Sequence, residues 1–214
     1  MTRQALLLTG KPGTGKTALI KEALARTTVE AGGFYTEEIR TAGERQGFRI
    51  VTLDGQEAIL AHVNMSSPYR VSKYAVDIGS LDAVGVSALQ RALKQSKVVV
   101  IDEIGKMELF SNQFRKAVVQ AIESGKKVLG TIMLNPHPFA DQIKLHPEVE
   151  VIELTRDNRA QAMAKVLAWL REGDSSLHLL DRGTPPATGH QRPQSLSCAS
   201  GQESVITSSA LETA

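Results

Sequence analysis

The 214-residue sequence predicts an α/β fold of three layers, a mostly parallel sheet with helices on both faces and an antiparallel hairpin addition. Two unbroken apolar runs, "ALLLT" from Ala5 and "KVVVIDE" from Lys97, read as strands buried on both faces, as strands between two helical layers do. Segments with helical spacing separate such runs along the chain, and this alternation implies right-handed crossovers. Between Gly33 and Val63 the pattern changes to the alternation of hairpins.

Each element has its own warrant. After "ALLLT" comes a Gly-rich loop, and then Leu19, Ile20, Ala23 and Leu24 line one side of a helix. "GFYTEEIR", "GFRIVTLDG" and "EAILAHV" read as two successive hairpins, with Asp54-Gly55 as a turn signal. Glu37 and Glu38 alternate along the first of these strands, so only one of them faces a given side. Leu81, Val84, Ala88, Leu89, Ala92 and Leu93 follow helical spacing. Phe114, Val118 and Ile122 mark another helix, opened by Ser111 as N-cap and closed by Gly125. "KKVLGTIML" and "VEVIEL" read as strands, with Lys126-Lys127 a solvated pair before the first. Met163, Leu167 and Leu170 mark a final helix, and Trp169 and Phe114 read as core residues. The five histidines, including His137 and His146, show no metal-ligand spacing and read as loop residues.

Composition bounds the function. Hydrophobic residues make up 42% and charged residues 22%, which suits a globular domain with a substantial core. A formal charge of +2 is too small to argue for nucleic acid. Cys198 is the single cysteine, so no disulfide and no cysteine-based zinc site forms within the chain. No stretch approaches the roughly 18 apolar residues of a membrane span, and no signal-peptide pattern opens the sequence, so the expected location is cytoplasmic. One domain is expected over residues 1–172. From Asp174 to Ala214, 12 of 41 residues are Ser or Thr and only two are Lys or Arg, so residues 173–214 are expected to be a disordered tail.

The chemistry starts at "TGKPGTGKTALI". Gly10, Lys11, Pro12, Gly13, Thr14, Gly15, Lys16 and Thr17 match the P-loop pattern completely, and they lie between a buried strand and a helix as its mechanism requires. Glycines let backbone N–H groups converge on phosphates, and the helix N-terminus adds its positive dipole. Lys16 reaches the β- and γ-phosphates, and the Thr17 hydroxyl is placed to ligate Mg²⁺. Asp102 and Glu103 follow four apolar residues at a strand's C-terminal edge, where open α/β sheets hold their ligands. Asp102 is the second candidate metal ligand. Glu103 is placed to polarise a water for in-line attack on the γ-phosphorus, the alternative being a strand-end acid paired with Lys106.

"GKPGTGKTALI", "GFYTEEIR", "GFRIVTLDG", "VVVIDEIGKMELFS", "GTI" and "TRDNR" occur in that order. Together they resemble the nucleoside-triphosphatase family described from thermophiles, whose vertebrate members are called cancer-related nucleoside-triphosphatase. The resemblance runs from about residue 5 to residue 170. It implies a P-loop fold of the class with an additional catalytic glutamate, and Mg²⁺-dependent, slow hydrolysis of ATP, GTP and other nucleoside triphosphates such as CTP and UTP. It implies nucleotide contacts on Gly10 to Thr17 and on the strand ending at Asp102 and Glu103. Two features depart from the family: Ala18 replaces a second threonine, and "RVSKYAVD" carries Ser72 and Ala75 where glycine is frequent.

Charge on the γ-phosphate calls for an arginine, with Arg40, Arg70 and Arg159 as candidates at predicted element ends. Asn158 and Arg159, between the last strand and last helix, are placed to contact the base. No N-K-x-D base reader is present, so base specificity is expected to be broad. Two competing functions share the P-loop. A kinase acting on a nucleoside, nucleotide or nucleic-acid 5′ end is suggested by the R-x-x-R spacing of Arg156 and Arg159, although Glu103 would waste nucleotide there. A nucleotide-gated binding module would use hydrolysis only to time partner release.

Overall fold

Helical and extended segments alternate through residues 3–172, the part of the chain that the computed structural model describes. Among the described residues, nine strands form one sheet: β1 (Ala5–Thr9), β2 (Ala31–Thr41), β3 (Glu44–Thr52), β4 (Glu57–His62), β5 (Arg70–Val71), β6 (Tyr74–Val76), β7 (Val98–Ile104), β8 (Lys127–Ile132) and β9 (Val149–Glu153). Their order is β5-β6-β4-β3-β2-β7-β8-β1-β9. β2, β7, β8, β1 and β9 are parallel, whereas β3, β4, β6 and β5 extend the sheet by antiparallel pairing. The expected three-layer α/β architecture with a hairpin addition is the observed one.

Among the described residues, six α-helices flank the sheet: α1 (Lys16–Ala25), α2 (Ile78–Ser80), α3 (Ser87–Gln95), α4 (Asn112–Glu123), α5 (Pro138–Lys144) and α6 (Arg159–Arg171). Residue alternation along the strands decides which helix each side chain meets. Ala5 and Leu7 of β1 and Val99 and Ile101 of β7 join the cluster under α3, α4 and α5. Leu6, Leu8, Val98 and Val100 join the opposite cluster, with Leu19 and Ile20 of α1 and Val166 and Trp169 of α6. Phe114 is fully buried, and its ring meets Phe34 edge-on at 6.1 Å between centroids. Ser111 caps α4 by accepting a bond from the Phe114 N–H at 3.0 Å, and Gly125 follows the helix with φ +74°.

Four features differ from the sequence reading. "RVSKYAVD", for which the sequence predicts no element, forms the tight β5–β6 hairpin, with Ser72 at φ +55° in its turn. That left-handed backbone gives a physical reason for glycine to be favoured there. The helix under Leu81 and Leu89 is interrupted by a π-helical turn over Leu81–Val86, which brings Gly85 against the Phe34 ring. Helix α5 rose from no visible pattern, because it has seven residues and buries only Ala140 and Ile143. Lys127 is not solvated: its ammonium donates to the carbonyls of Trp169, Leu170 and Glu172 and so closes the C-terminus of α6.

Strand β2 is tied to β7 at unusually close range. Gly33 pairs with Val100 at φ +116°, and a Cβ there would stand 2.1 Å from the Val100 carbonyl oxygen. Gly33→Ala must therefore push the strands apart, and we expect it to lose at least about 2 kcal/mol of stability. Urea unfolding of the variant checks this, and an unchanged midpoint would contradict it.

Candidate active site

Strand β1 ends where the Gly-rich loop begins, and three left-handed glycines shape that loop: Gly10 (φ +141°), Gly13 (+78°) and Gly15 (+85°). A Cβ on Gly10 would lie 2.5 Å from the Leu154 carbonyl oxygen, so only glycine lets the loop leave β1 this close to β9. Gly15 precedes α1, and no side chain caps that helix. Its first N–H groups therefore remain for an anion, which the dipole also favours. Lys16 Nζ donates to the Gly10 carbonyl at 3.1 Å, which folds the ammonium back over the loop.

The second wall comes from β7, separated from β1 by β8. Asp102 is 1% exposed. The Thr131 hydroxyl of β8 donates to its Oδ1. Its Oδ2 has no hydrogen-bond partner among the described residues, although the Thr17 hydroxyl lies near enough to favour the ionised form. Burial raises the Asp102 pKa, while Thr131, Thr17 and Lys16 act in the opposite sense. The next residue, Glu103, follows a cis peptide bond and is partly exposed. Burial raises its pKa as well, with Lys16 lowering it and Asp102 raising it. Glu103 has no ion pair with Lys106 among the described residues.

Loop and β7 open onto one cavity of about 560 Å³. Gly10, Lys11, Pro12, Lys16 and Glu103 line it, and so do Lys106 and Glu108. Glu108 is a site residue that motif reading passed over. It is 5% exposed in the turn after β7, and burial pushes its pKa up to about 8, with Glu103 the next contributor. Its one signal in the sequence is an acid between Met107 and Leu109, a position where an apolar residue would be expected.

The remaining candidates are distributed differently. Arg159 does come to the loop: its Nη1 donates to the Gly15 carbonyl at 3.2 Å and its Nη2 to Glu22 at 2.9 Å. Asn158 closes its own turn, donating to the Glu153 carbonyl at 2.7 Å and accepting from the Thr155 N–H at 2.8 Å. Arg40 is held at the β2–β3 turn by Glu38 and the Gly43 carbonyl, and Arg70 bonds the Lys73 carbonyl. Neither lines the cavity. Glu37 joins Lys21 of α1 at 2.7 Å and Arg49 of β3 at 2.7 Å, whereas Glu38 binds Arg40 and Arg45.

A family model described as NTPase matches residues 5–167. The chain belongs to that NTPase family. It is 47% identical over 166 residues to nucleoside-triphosphatase THEP1 of a Thermotoga species, covering 78% of this chain and 95% of the relative. It is 39% identical over 182 residues to human cancer-related nucleoside-triphosphatase, covering 78% of this chain and 96% of that one. Among solved structures, THEP1 from Aquifex aeolicus superposes with a TM-score of 0.73 at 36% identity, covering 78% of this chain and 99% of the other. These matches bear out the family resemblance and the α/β class. No helix among the described residues is long and apolar enough to cross a membrane.

Glu108 gives a pH test. An acid with a raised folded-state pKa holds its proton more tightly folded than unfolded, so its contribution to stability falls as pH rises from about 4.5 to about 8. Glu108→Gln removes that dependence. Between about pH 5 and about pH 8 its Tm should fall less than that of wild type. Parallel Tm curves for the two proteins would contradict the assignment.

Proposed function

We propose that this chain is a Mg²⁺-dependent nucleoside-triphosphatase that hydrolyses ATP, GTP, CTP and UTP to the diphosphate and phosphate, slowly and with little base preference. The convergence of Lys16, Thr17, Asp102 and Glu103 on one phosphate loop carries this reading. The names of relatives at 39% and 47% identity, both nucleoside-triphosphatases, support hydrolysis as the reaction.

In this reading the backbone N–H groups of the loop and of α1 hold the phosphates, and the Lys16 ammonium turns from the Gly10 carbonyl to the β- and γ-oxygens. The donor set fits Mg²⁺. A hydroxyl and a carboxylate with one unpartnered buried oxygen leave the remaining positions to phosphate and water, as this ion prefers. Among the described residues no three His, Cys, Asp or Glu side chains cluster as a self-sufficient metal cage, which also suits an ion brought with its nucleotide. Thr17 and Asp102 would hold it, and when bound it would neutralise charge on the β- and γ-phosphates. Glu103 orients a water in line with the γ-phosphorus and takes its proton as the bond to the β-phosphate oxygen breaks.

Slow turnover is supported by the placement of the candidate arginines: Arg40 and Arg70 are held outside the cavity, and Arg159 is engaged by the Gly15 carbonyl and Glu22. An arginine finger is worth about 10³–10⁵ in kcat to enzymes of this kind. Broad base preference is supported by Asn158, whose carboxamide is committed to its own turn and offers nothing to a base edge.

Phosphate release from a panel of ribonucleoside triphosphates tests the reading. Wild type should hydrolyse all of them in Mg²⁺, and Glu103→Gln should still bind nucleotide while losing at least about tenfold in kcat. A variant as active as wild type would make Glu103 structural and remove the mechanism.

A further inference from the structure

The cavity beside Lys16 is larger than a terminal phosphate and a water require, and its two ends differ in chemistry. The end at the phosphate loop and β7 holds Lys11, Lys16, Glu103, Lys106 and Glu108. The other is walled by Phe48 of β3, Leu60 of β4 and Val71 of β5. Its volume of about 560 Å³ lies within the range of sites that enclose a small organic ligand, about 300–1,000 Å³.

The nucleotide does not account for the apolar end. Sheet order places β9 and the turn leading to α6 on one side of β1, where Arg159 touches Gly15 and a separate groove runs along Lys11–Thr14 and Glu153–Arg156. β3, β4 and β5 lie on the other side, beyond β7 and Glu103. A triphosphate with its base toward the α6 side presents its γ-phosphate to Glu103 and leaves the Phe48–Leu60–Val71 wall uncovered. Hydrolysis also leaves Glu108 without a task, although the structure commits a buried carboxyl there. A Cβ on Gly105 would stand 3.0 Å from Glu108 Oε2 and 3.4 Å from the Glu103 carboxyl carbon, so the two acids lie close together beside Gly105.

We propose that this cavity is the pocket of a second substrate, a neutral alcohol with an apolar body, and that the chain transfers the γ-phosphoryl group to its hydroxyl. The chemistry of the lining selects this class. The apolar wall of Phe48, Leu60 and Val71 disfavours an acceptor with a charged body, and an amine would enter protonated and without a free electron pair. A hydroxyl can donate to Glu103 while its body covers the apolar wall. In the transfer the hydroxyl oxygen forms a bond to the γ-phosphorus and gives its proton to the Glu103 carboxylate. The bond between the γ-phosphorus and the bridging oxygen breaks, and its electron pair stays on the nucleoside diphosphate. Glu103 serves water in the same way, so hydrolysis is the reaction of the vacant pocket. This inference rests on the proposed roles of the phosphate loop and Glu103.

The test incubates the full chain with ATP, Mg²⁺ and benzyl alcohol and identifies the products by phosphorus NMR. A hydroxyl held in line reaches effective concentrations of about 10⁵ M or more, so benzyl phosphate should be the main phosphorylated product besides ADP at saturating alcohol. Val71→Trp, which fills the apolar end, should lower the ratio of benzyl phosphate to inorganic phosphate at least about tenfold. Inorganic phosphate alone, formed at the same rate with or without alcohol, would overturn the acceptor pocket and leave the triphosphatase standing. Benzyl phosphate formed at an unchanged ratio by Val71→Trp would overturn the placement of the pocket. ATP left intact in every case would overturn the triphosphatase reading, and the acceptor pocket with it.

Discussion

The site depends on one strand lying between two others. β8 separates β1, which delivers the phosphate loop, from β7, which delivers Asp102 and Glu103. Neighbouring strands sit about 4.8 Å apart, so the two deliveries are about two such spacings from each other, room for a phosphate group and an ion between them. β8 fixes that gap from both sides. A Cβ on Gly130 would come within 2.2 Å of the Ile101 carbonyl, so no larger residue lets β8 lie this close to β7. Thr131, next in the strand, is fully buried and donates to Asp102. The middle strand thereby sets both the width of the site and the orientation of its most buried acid.

The two halves of the sheet do different work. The parallel half, covered on both faces by helices, is a packed core whose strand ends hold Lys16, Thr17, Asp102 and Glu103 on rigid supports. The antiparallel half lends Phe48, Leu60 and Val71 to the cavity wall, and β2 adds Thr36. Holding three acids in or near the core has a cost, since burial raises the pKa of Asp102, Glu103 and Glu108 alike. Charged groups held out of water at a strand edge are a usual mark of a working site rather than of a stabilising one.

Much of this was legible in the sequence, for identifiable reasons. Strands buried on both faces write unbroken apolar runs, so β1 and β7 stood out, and the loop between Gly10 and Thr17 carried a spacing that few other structures need. Ser111 and Gly125 marked the ends of α4 because caps are local chemistry. What escaped was short or remote. β5 and β6 have two and three residues and no room for a period. The bond from Arg159 to the Gly15 carbonyl joins residues 144 apart, and Lys127 meets α6 more than 40 positions away, so neither contact leaves a local trace. Asn158 looked like a base reader by position, but an Asn in a turn often bonds its own backbone, and here it does. Glu108 stands in "VVVIDEIGKMELFS" without a spacing that marks a role, because only the fold brings its buried carboxyl beside Glu103.

The proposed function requires Thr17 and Asp102, from opposite sides of β8, to act as one site for a metal–triphosphate pair. Titration calorimetry with a non-hydrolysable triphosphate, with and without Mg²⁺, in wild type and Asp102→Ala tests it most directly. Mg²⁺ should tighten binding at least about tenfold in wild type, roughly 1.4 kcal/mol, and the gain should disappear in the variant. The same gain in both proteins would contradict it.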